Sequence, residues 1–358
     1  MTTDPCARPN RPADLAGPLP TPFAPLAIKM RLDTLCDRYC NRTYLDGLIA
    51  DLPAQLARPA ARPWATIAWE SIDRGQILDI APEFFLAILA GAAATEAPIR
   101  GYSQASRQYL DRINPQIARF VGGTVTAEGT PAEPGLWEKE ERRHAPALRR
   151  LYRQLSNGAA PTVARTASSA AVAKAGDRLN ASAAQRLEKF ARPYFPGPDP
   201  RRDLFRHGLH RIVTEYGAAC LYLWLAARTT GALQQVCLEI LQDELNHLTK
   251  FWCFGCWLYE RPATDLARAL WHNAGRGNHT FRYMQTMLAW SSWTPNNQVE
   301  LAYAFAGVLL RLLHWSACLQ PERLHRLLAT AAASQPTESN ASPTLAIVRQ
   351  PARPQTKR

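Results

Sequence analysis

No glycine-rich dinucleotide fingerprint occurs in this 358-residue chain, so neither a flavin nor a nicotinamide is expected as a resident cofactor. No charged stretch followed by an apolar one opens the sequence, so no signal peptide is visible and a cytoplasmic protein is the expectation. The apolar stretch Ala218 to Ala227 is too short to span a bilayer, and the last apolar helix pattern is interrupted by Arg311 and His314. The net charge of +12 is dispersed largely as single arginines, with no basic patch interleaved with aromatics, so nucleic acid is not expected as a partner. The positive charge serves an acidic carrier protein equally well. Cys253-Phe-Gly-Cys256 has the spacing of a zinc ribbon or a redox pair, but no second ligand pair accompanies it. The 8 cysteines lie mainly in apolar helical surroundings and read as buried free thiols.

What the chain does contain is helical periodicity broken by 28 prolines. Residues 1–25 carry seven prolines and no periodicity, and read as a disordered arm. Residues 26–330 read as one all-α domain with its bundle core at about 80–260, and residues 331–358 as a disordered basic tail. Leu26 to Leu56 predicts one or two helices packed outside the bundle, ended by Pro59 to Pro63. The first bundle helix is expected from Pro82-Glu83 to Asn114-Pro115, with Pro98 kinking it, followed by a loop through Gly122-Gly123 and Pro131 to Gly135. A second helix carries Trp137 to Leu155. A connection of roughly fifty residues, including Ser156 to Asp177 and Pro193 to Pro200, then leads to a third helix from Arg202 to Arg228. A tight turn at Thr229-Thr230-Gly231 leads into a helical pattern from Ala232 to Tyr259, and two more helices are expected at Thr280–Trp290 and Gln298–Leu319. A two-plus-two bundle with a long crossover is the ferritin-like connectivity, here with additional N- and C-terminal helices.

Chemistry interrupts the apolar stripes at matching places. Val236, Ile240, Glu244, His247, Phe251, Phe254 and Leu258 follow at steps of three and four, so a carboxylate and an imidazole share one otherwise apolar helix face. Trp137, Glu141, His144, Leu148, Leu151 and Leu155 repeat the pattern on another helix. An unpartnered buried carboxylate costs several kcal/mol, so each stripe must find a cation. Upstream of each Glu-x-x-His stands one more acid on an apolar face: Glu96 among Phe85, Ile88, Ala92, Ile99, Ser103 and Leu110, and Glu215 among Ile212, Ala218, Ala219 and Tyr222. The order Glu, Glu-x-x-His, Glu, Glu-x-x-His is that of di-iron bundles. An acid also precedes each motif glutamate. Glu140 and Asp243 are expected to accept the free ring N–H of the ligating histidine of the opposite motif. Glu322-x-x-His325 has the same spacing but reads as an exposed helix turn, and His207, His210, His272 and His279 read as surface or capping residues. Tyr216 and Tyr222 read as core, within reach of lining the site.

Trp137-x-x-Glu140-Glu141-x-Arg143-His144 resembles a segment of the soluble acyl-carrier-protein desaturases, a family of the ferritin-like di-iron carboxylate superfamily. Thr95-Glu96 with Pro98 and Tyr102, and Asp243-Glu244-x-x-His247, are similar to two further segments of that family, and the resemblance covers residues 80 to 260. Ala218 stands where those desaturases carry an oxygen-handling threonine. The interval from Glu215 to Glu244 is closer to that of aldehyde-deformylating oxygenases. The resemblance implies two iron ions, with manganese also suited. Glu96 and His144 would hold one, Glu215 and His247 the other, and Glu141 and Glu244 would bridge them as the catalytic carboxylates. It further implies O₂ as co-substrate, an external electron donor such as a ferredoxin, an acyl-carrier protein as partner and a homodimeric assembly. The expected function is therefore an O₂-dependent oxidoreductase, of oxygenase or desaturase type, acting on an acyl chain or another small organic substrate. A ferroxidase and a metal-free structural bundle are the alternatives. No substrate-binding residue is singled out by the sequence.

Overall fold

The computed structural model describes residues 28–111, 115–159, 200–258, 293–319 and 322–327. Ten long or medium helices account for most of them: α1 (Ile28–Tyr39), α2 (Arg42–Ala50), α3 (Leu52–Ala57), α4 (Pro82–Glu96), α5 (Ile99–Leu110), α6 (Pro115–Gly122), α7 (Leu136–Leu155), α8 (Pro200–Ala227), α9 (Gly231–Leu258) and α10 (Pro295–Ala317). Among the described residues there is no β-strand, only two isolated bridges. The chain is all-α.

A hairpin of α8 and α9 forms the centre. Gly231 takes the left-handed region at φ +58°, which lets the chain reverse within three residues. The side chain of Gln76 then accepts from the Leu233 N–H, satisfying one of the orphan donors that open α9. The Gln76 carbonyl accepts from Thr230, and Leu78 donates to the Arg228 carbonyl, so the segment before α4 staples the hairpin turn. Leu221 to Ala227 are buried at every position, as are Val236 to Leu241. A helix buried all round needs cover on its outer faces. That cover comes from α1 and α10 packed on α8, and α2 packed on α9.

The second pair of long elements is α4 and α7, packed against each other, with α5 and α6 packed on α7 and α9 also touching α7. Pro98 does more than kink the first bundle helix. It separates α4 from α5 and stands as the residue before α5, where its missing N–H leaves no bond unmade. The apolar stripe nonetheless continues across the break, and Phe85, Ile88, Ala92, Ile99, Ser103 and Leu110 are all buried. Pro146, by contrast, sits inside α7 without ending it.

Two other expectations are refined and a third holds. Where one or two helices are expected over Leu26 to Leu56, the described residues from Ile28 to Ala57 fold as three. The loop expected to pass through Gly122-Gly123 is preceded by the short helix α6, which the proline and glycines at its ends conceal in the sequence. Glu322 and His325 lie exposed in a helical turn. The 1–25 arm, the 331–358 tail, residues 193–199, the helix expected at Thr280–Trp290, Cys6, His272 and His279 fall outside the described residues. So does the Ser156 to Asp177 connection beyond residue 159. The side chains of His207 and His210 are likewise undescribed.

One stretch, Pro82–Gly101, is long and apolar enough by composition to cross a membrane, and 50% of it is buried inside the protein. It comprises α4, which carries Glu96 inward, and the first residues of α5. No other described helix reaches that length and hydropathy.

Candidate metal centre

Four helices deliver the six chemistry-bearing residues to one buried point. Glu96 comes from the last turn of α4, Glu141 and His144 from the middle of α7, Glu215 from α8, and Glu244 and His247 from the middle of α9. Exposure of these side chains is 6% or less, and both histidines are at 0%. Among the described residues, two sets have one ligand atom per residue within 4.8 Å of one another: Glu96, Glu141, His144 and Glu244, and Glu141, Glu215, Glu244 and His247. Glu141 and Glu244 belong to both. All six residues singled out in the sequence are thus brought together, and the two shared members are the motif glutamates.

The atoms at the centre meet without hydrogen-bonding. His247 Nδ1 lies 2.9 Å from Glu141 Oε1 and 3.3 Å from Glu215 Oε2, while His144 Nδ1 lies 3.3 Å from Glu244 Oε1 and 3.4 Å from Glu141 Oε2. Yet both Nδ1 atoms, Glu141 Oε1 and Glu244 Oε1 are buried with no hydrogen-bond partner. Buried polar atoms are nearly always paired, so four orphans facing one point call for an explanation. Nitrogen and oxygen ligands sit about 2.0–2.2 Å from a divalent ion, and two of them at right angles stand about 3 Å apart. The separations found here have that scale. Two divalent ions would also balance the four glutamate charges. The donor set fits a pair of hard or borderline cations, and it disfavours metals that seek thiolate.

Outside this ring, each imidazole turns its other nitrogen to an acid from the opposite motif. His144 Nε2 is 3.2 Å from Asp243 Oδ2, and His247 Nε2 is 2.8 Å from Glu140 Oε2. Each acid is one residue away from a motif glutamate and so points about 100° around its helix, across to the neighbouring one. The same bonds fix Nε2 as the protonated nitrogen and leave Nδ1 free for a cation. Further contacts frame the centre. Tyr222 donates its hydroxyl to Glu96 at 3.3 Å, the Trp137 indole N–H approaches Glu215 at 3.4 Å, and Trp64 stacks beside His144 with ring centroids 6.3 Å apart.

Electrostatics of the metal-free cluster follow from burial and crowding. Burial pushes the Glu96 and Glu244 carboxyls well above the usual range, and the neighbouring Glu141 charge pushes them further. Burial opposes a charge on either histidine. For His144 it is outweighed by the Glu141 charge and the Asp243 contact, and for His247 by Glu140, Glu141 and Glu215, so both imidazoles hold a proton well above their usual pKa. Burial would raise Glu141 as well, but the two flanking imidazoles hold it well below the ordinary value. Asp243, which burial would also raise, is lowered by His144 and Arg62. Without a cation, protons therefore occupy the place where cations would sit.

Several residues of this region were not legible from the motifs. The Pro59 to Pro63 segment, read only as a chain break, carries Arg62, whose guanidinium reaches Asp243 at 2.9 Å and Glu239 at 2.6 Å. Trp64 donates to Asp243 at 2.8 Å. Glu138 is buried and accepts from Ser103 at 2.5 Å and Gln104 at 3.0 Å, tying α5 to α7. Lys250 is fully buried and donates to Asn246, which in turn donates to Glu140 at 3.2 Å. Burial lowers this amine to about 8. Of the described cysteines, Cys253 and Cys256 are buried free thiols in α9, and neither belongs to a ligand set among the described residues. Tyr216 bonds the Phe305 carbonyl at 2.6 Å and not the centre.

Comparison of the chain with protein-family models, with curated proteins and with solved structures returned no match.

Proposed function

We propose that this chain is a ferritin-like di-iron protein that uses O₂ to oxidise a small organic substrate, an acyl chain in the first instance. The observation that carries the reading is the pair of overlapping ligand sets, which share Glu141 and Glu244 and leave four central atoms without hydrogen bonds. Bound there, two iron ions would supply reversible one-electron redox chemistry and O₂ activation, with electrons from an external donor such as a ferredoxin. Manganese suits the same donors. Glu96 and His144 would hold one ion and Glu215 and His247 the other, with Glu141 and Glu244 between them.

The chain's own part is positional. Asp243 and Glu140 fix the tautomer and direction of the two imidazoles. Tyr222 and Trp137 hold Glu96 and Glu215 from the outside. Ala218 and Ala219, one turn beyond Glu215 on α8, are both buried and keep the side chains there small. α1, α2 and α10 seal the hairpin that carries half of the ligands, keeping water from the cluster. A storage protein needs only a short bundle, and these added helices favour an enzyme over a ferroxidase. A metal-free bundle would leave four acids and two histidines converging with unpaired atoms and no gain in packing.

Anaerobic metal analysis followed by single turnover tests the reading. The chain should take up two ions per molecule. After reduction it should consume O₂ with a product derived from an acyl-carrier-protein thioester, a free aldehyde or an aromatic amine. Catalytic Fe(II) oxidation with retention of a mineral and no organic product would establish the ferroxidase instead.

A further inference from the structure

The residue that joins the two halves of this centre is not in either motif. We infer that Arg62 is a positioning residue which sets the orientation of His144 through Asp243 while holding Glu140, the acid behind His247, through its own backbone. The inference rests on the metal-centre reading above and concerns how that centre is held.

Five bonds to these two motifs and their neighbours converge on this one residue. Its Nη1 meets Glu239 at 2.6 Å, its Nη2 meets the Glu239 carbonyl at 2.7 Å, and its Nε meets Asp243 Oδ1 at 3.0 Å. Its main-chain N–H donates to Glu140 Oε1 at 2.7 Å. The Arg62 carbonyl accepts from Arg143 at 2.5 Å, and Arg143 also reaches the other Asp243 oxygen at 2.8 Å. Asp243 is thereby held on both oxygens, at 0% exposure, with its Oδ2 turned to His144. Only a planar fork on a long stem can reach an aspartate and a glutamate one turn apart on α9 at the same time. The strap that bears it has an anchor of its own, Lys139 bonding the Pro59 carbonyl at 2.8 Å. A purely structural strap would be fastened by that anchor and would have no reason to insert a guanidinium between two buried acids.

The two roles divide between side chain and backbone, and this makes the inference separable from general stability. Arg62→Gln removes the fork but keeps the N–H to Glu140. It should weaken the ion beside His144 by about 10- to 100-fold and leave the ion beside His247 within about threefold. Cobalt(II) titration of the full chain reads this directly. The native protein should fill two positions, while the variant should fill one at native affinity and show a changed visible band for the other. Arg62→Lys should restore part of the affinity, since an ammonium reaches Asp243 but cannot fork. Lys139→Ala, which loosens the strap at Pro59 alone, should leave both positions and the spectrum unchanged.

Identical titrations and spectra for Arg62→Gln and the native chain overturn the role of Arg62 and leave the metal centre standing. A native chain that binds no cobalt overturns both. Equal losses in Arg62→Gln and Lys139→Ala reduce Arg62 to a structural anchor and overturn the inference as well. If Arg62→Gln does not fold, Glu239→Gln decides. It removes only the far anchor of the fork, and an unchanged spectrum there also rules the role out.

Discussion

Asp243 on α9 faces His144 on α7 at 3.2 Å, so the acid of one motif orients the imidazole of the other. Glu140 and His247 make the reciprocal contact at 2.8 Å. The two Glu-x-x-His segments are thus crossed at the outer shell, and neither can be aimed without the helix that bears the other. Asp243→Asn keeps the shape but loses the charge that draws the ring N–H. It should lower metal affinity about 10- to 100-fold at the His144 position, and Glu140→Gln should do the same at the His247 position. Stepwise titration with a divalent ion separates the two. Loss at both positions from either single change would mean that the crossed pairing does not act locally.

The metal-free protein should lose stability as pH rises. Glu96, Glu244, His144 and His247 all have folded pKa values raised above those of the unfolded chain, which are 4.5 for glutamate and 6.5 for histidine. A raised value means the folded state holds a proton that the unfolded state has released. The associated stability is complete below the unfolded pKa and is lost on passing up through the folded one. Glu141 and Asp243 have the opposite sign, but their contribution is already in place above 4.5 and 3.8 respectively. Thermal melts of the metal-free chain should therefore fall between about pH 5 and 8. Added Fe(II) or Mn(II) should raise the melting temperature most at the upper end, because cations displace those protons. A metal-free chain that gains stability over the same range would contradict this protonation pattern.

Much of this centre was readable because helical periodicity and charge disagree only where function intervenes. A Glu or His in the middle of an apolar stripe is visible without a structure, and repetition of the pattern on two helices names the partners. The outer acids were readable for the same reason, since adjacency to a ligand fixes the direction of a side chain on a helix. Arg62 was not, because it sits in an irregular, proline-flanked segment where no period says which way a side chain points. Lys250 was equally hidden. On a helix buried on every side, position no longer separates an inward face from an outward one. The break at Pro98 was seen as a kink, since a proline shows where a hydrogen bond is lost but not whether packing will hold the axis straight.

Gly123 lies at φ +75°, between α6 and α7, and a Cβ there would fall 1.7 Å from the Glu133 carbonyl. Its N–H closes α6 on Arg119, and Thr124 pairs with Glu133 beside it. Gly123→Ala combines left-handed strain with a backbone clash, and should cost about 2–4 kcal/mol of stability in urea unfolding. Gly129 also has positive φ, at +79°, but a Cβ there meets nothing, so Gly129→Ala should cost only about 1 kcal/mol. A comparable loss at both would show that conformation alone, and not the close approach at Glu133, sets the effect.

Because Glu141 and Glu244 belong to both ligand sets, they should not behave like Glu96 and Glu215, which belong to one each. Glu96→Ala and Glu215→Ala should each leave about one strongly bound ion per chain, whereas Glu141→Ala should leave none that survives dialysis. The stability consequence should run the other way for Glu244. Its carboxyl is 1% exposed and held protonated by burial, so in the metal-free state it brings a polar group into the core with one oxygen unpaired. Replacing a buried ionisable cluster member by an apolar side chain of similar size is often stabilising by about 1–4 kcal/mol. Glu244→Leu should therefore melt higher than the native metal-free chain while binding no more than residual metal. The two measurements on one variant separate a site kept for chemistry from one kept for folding. If Glu244→Leu destabilises the metal-free protein by more than about 2 kcal/mol, the acid is part of the structural core and the shared-ligand assignment loses its physical basis.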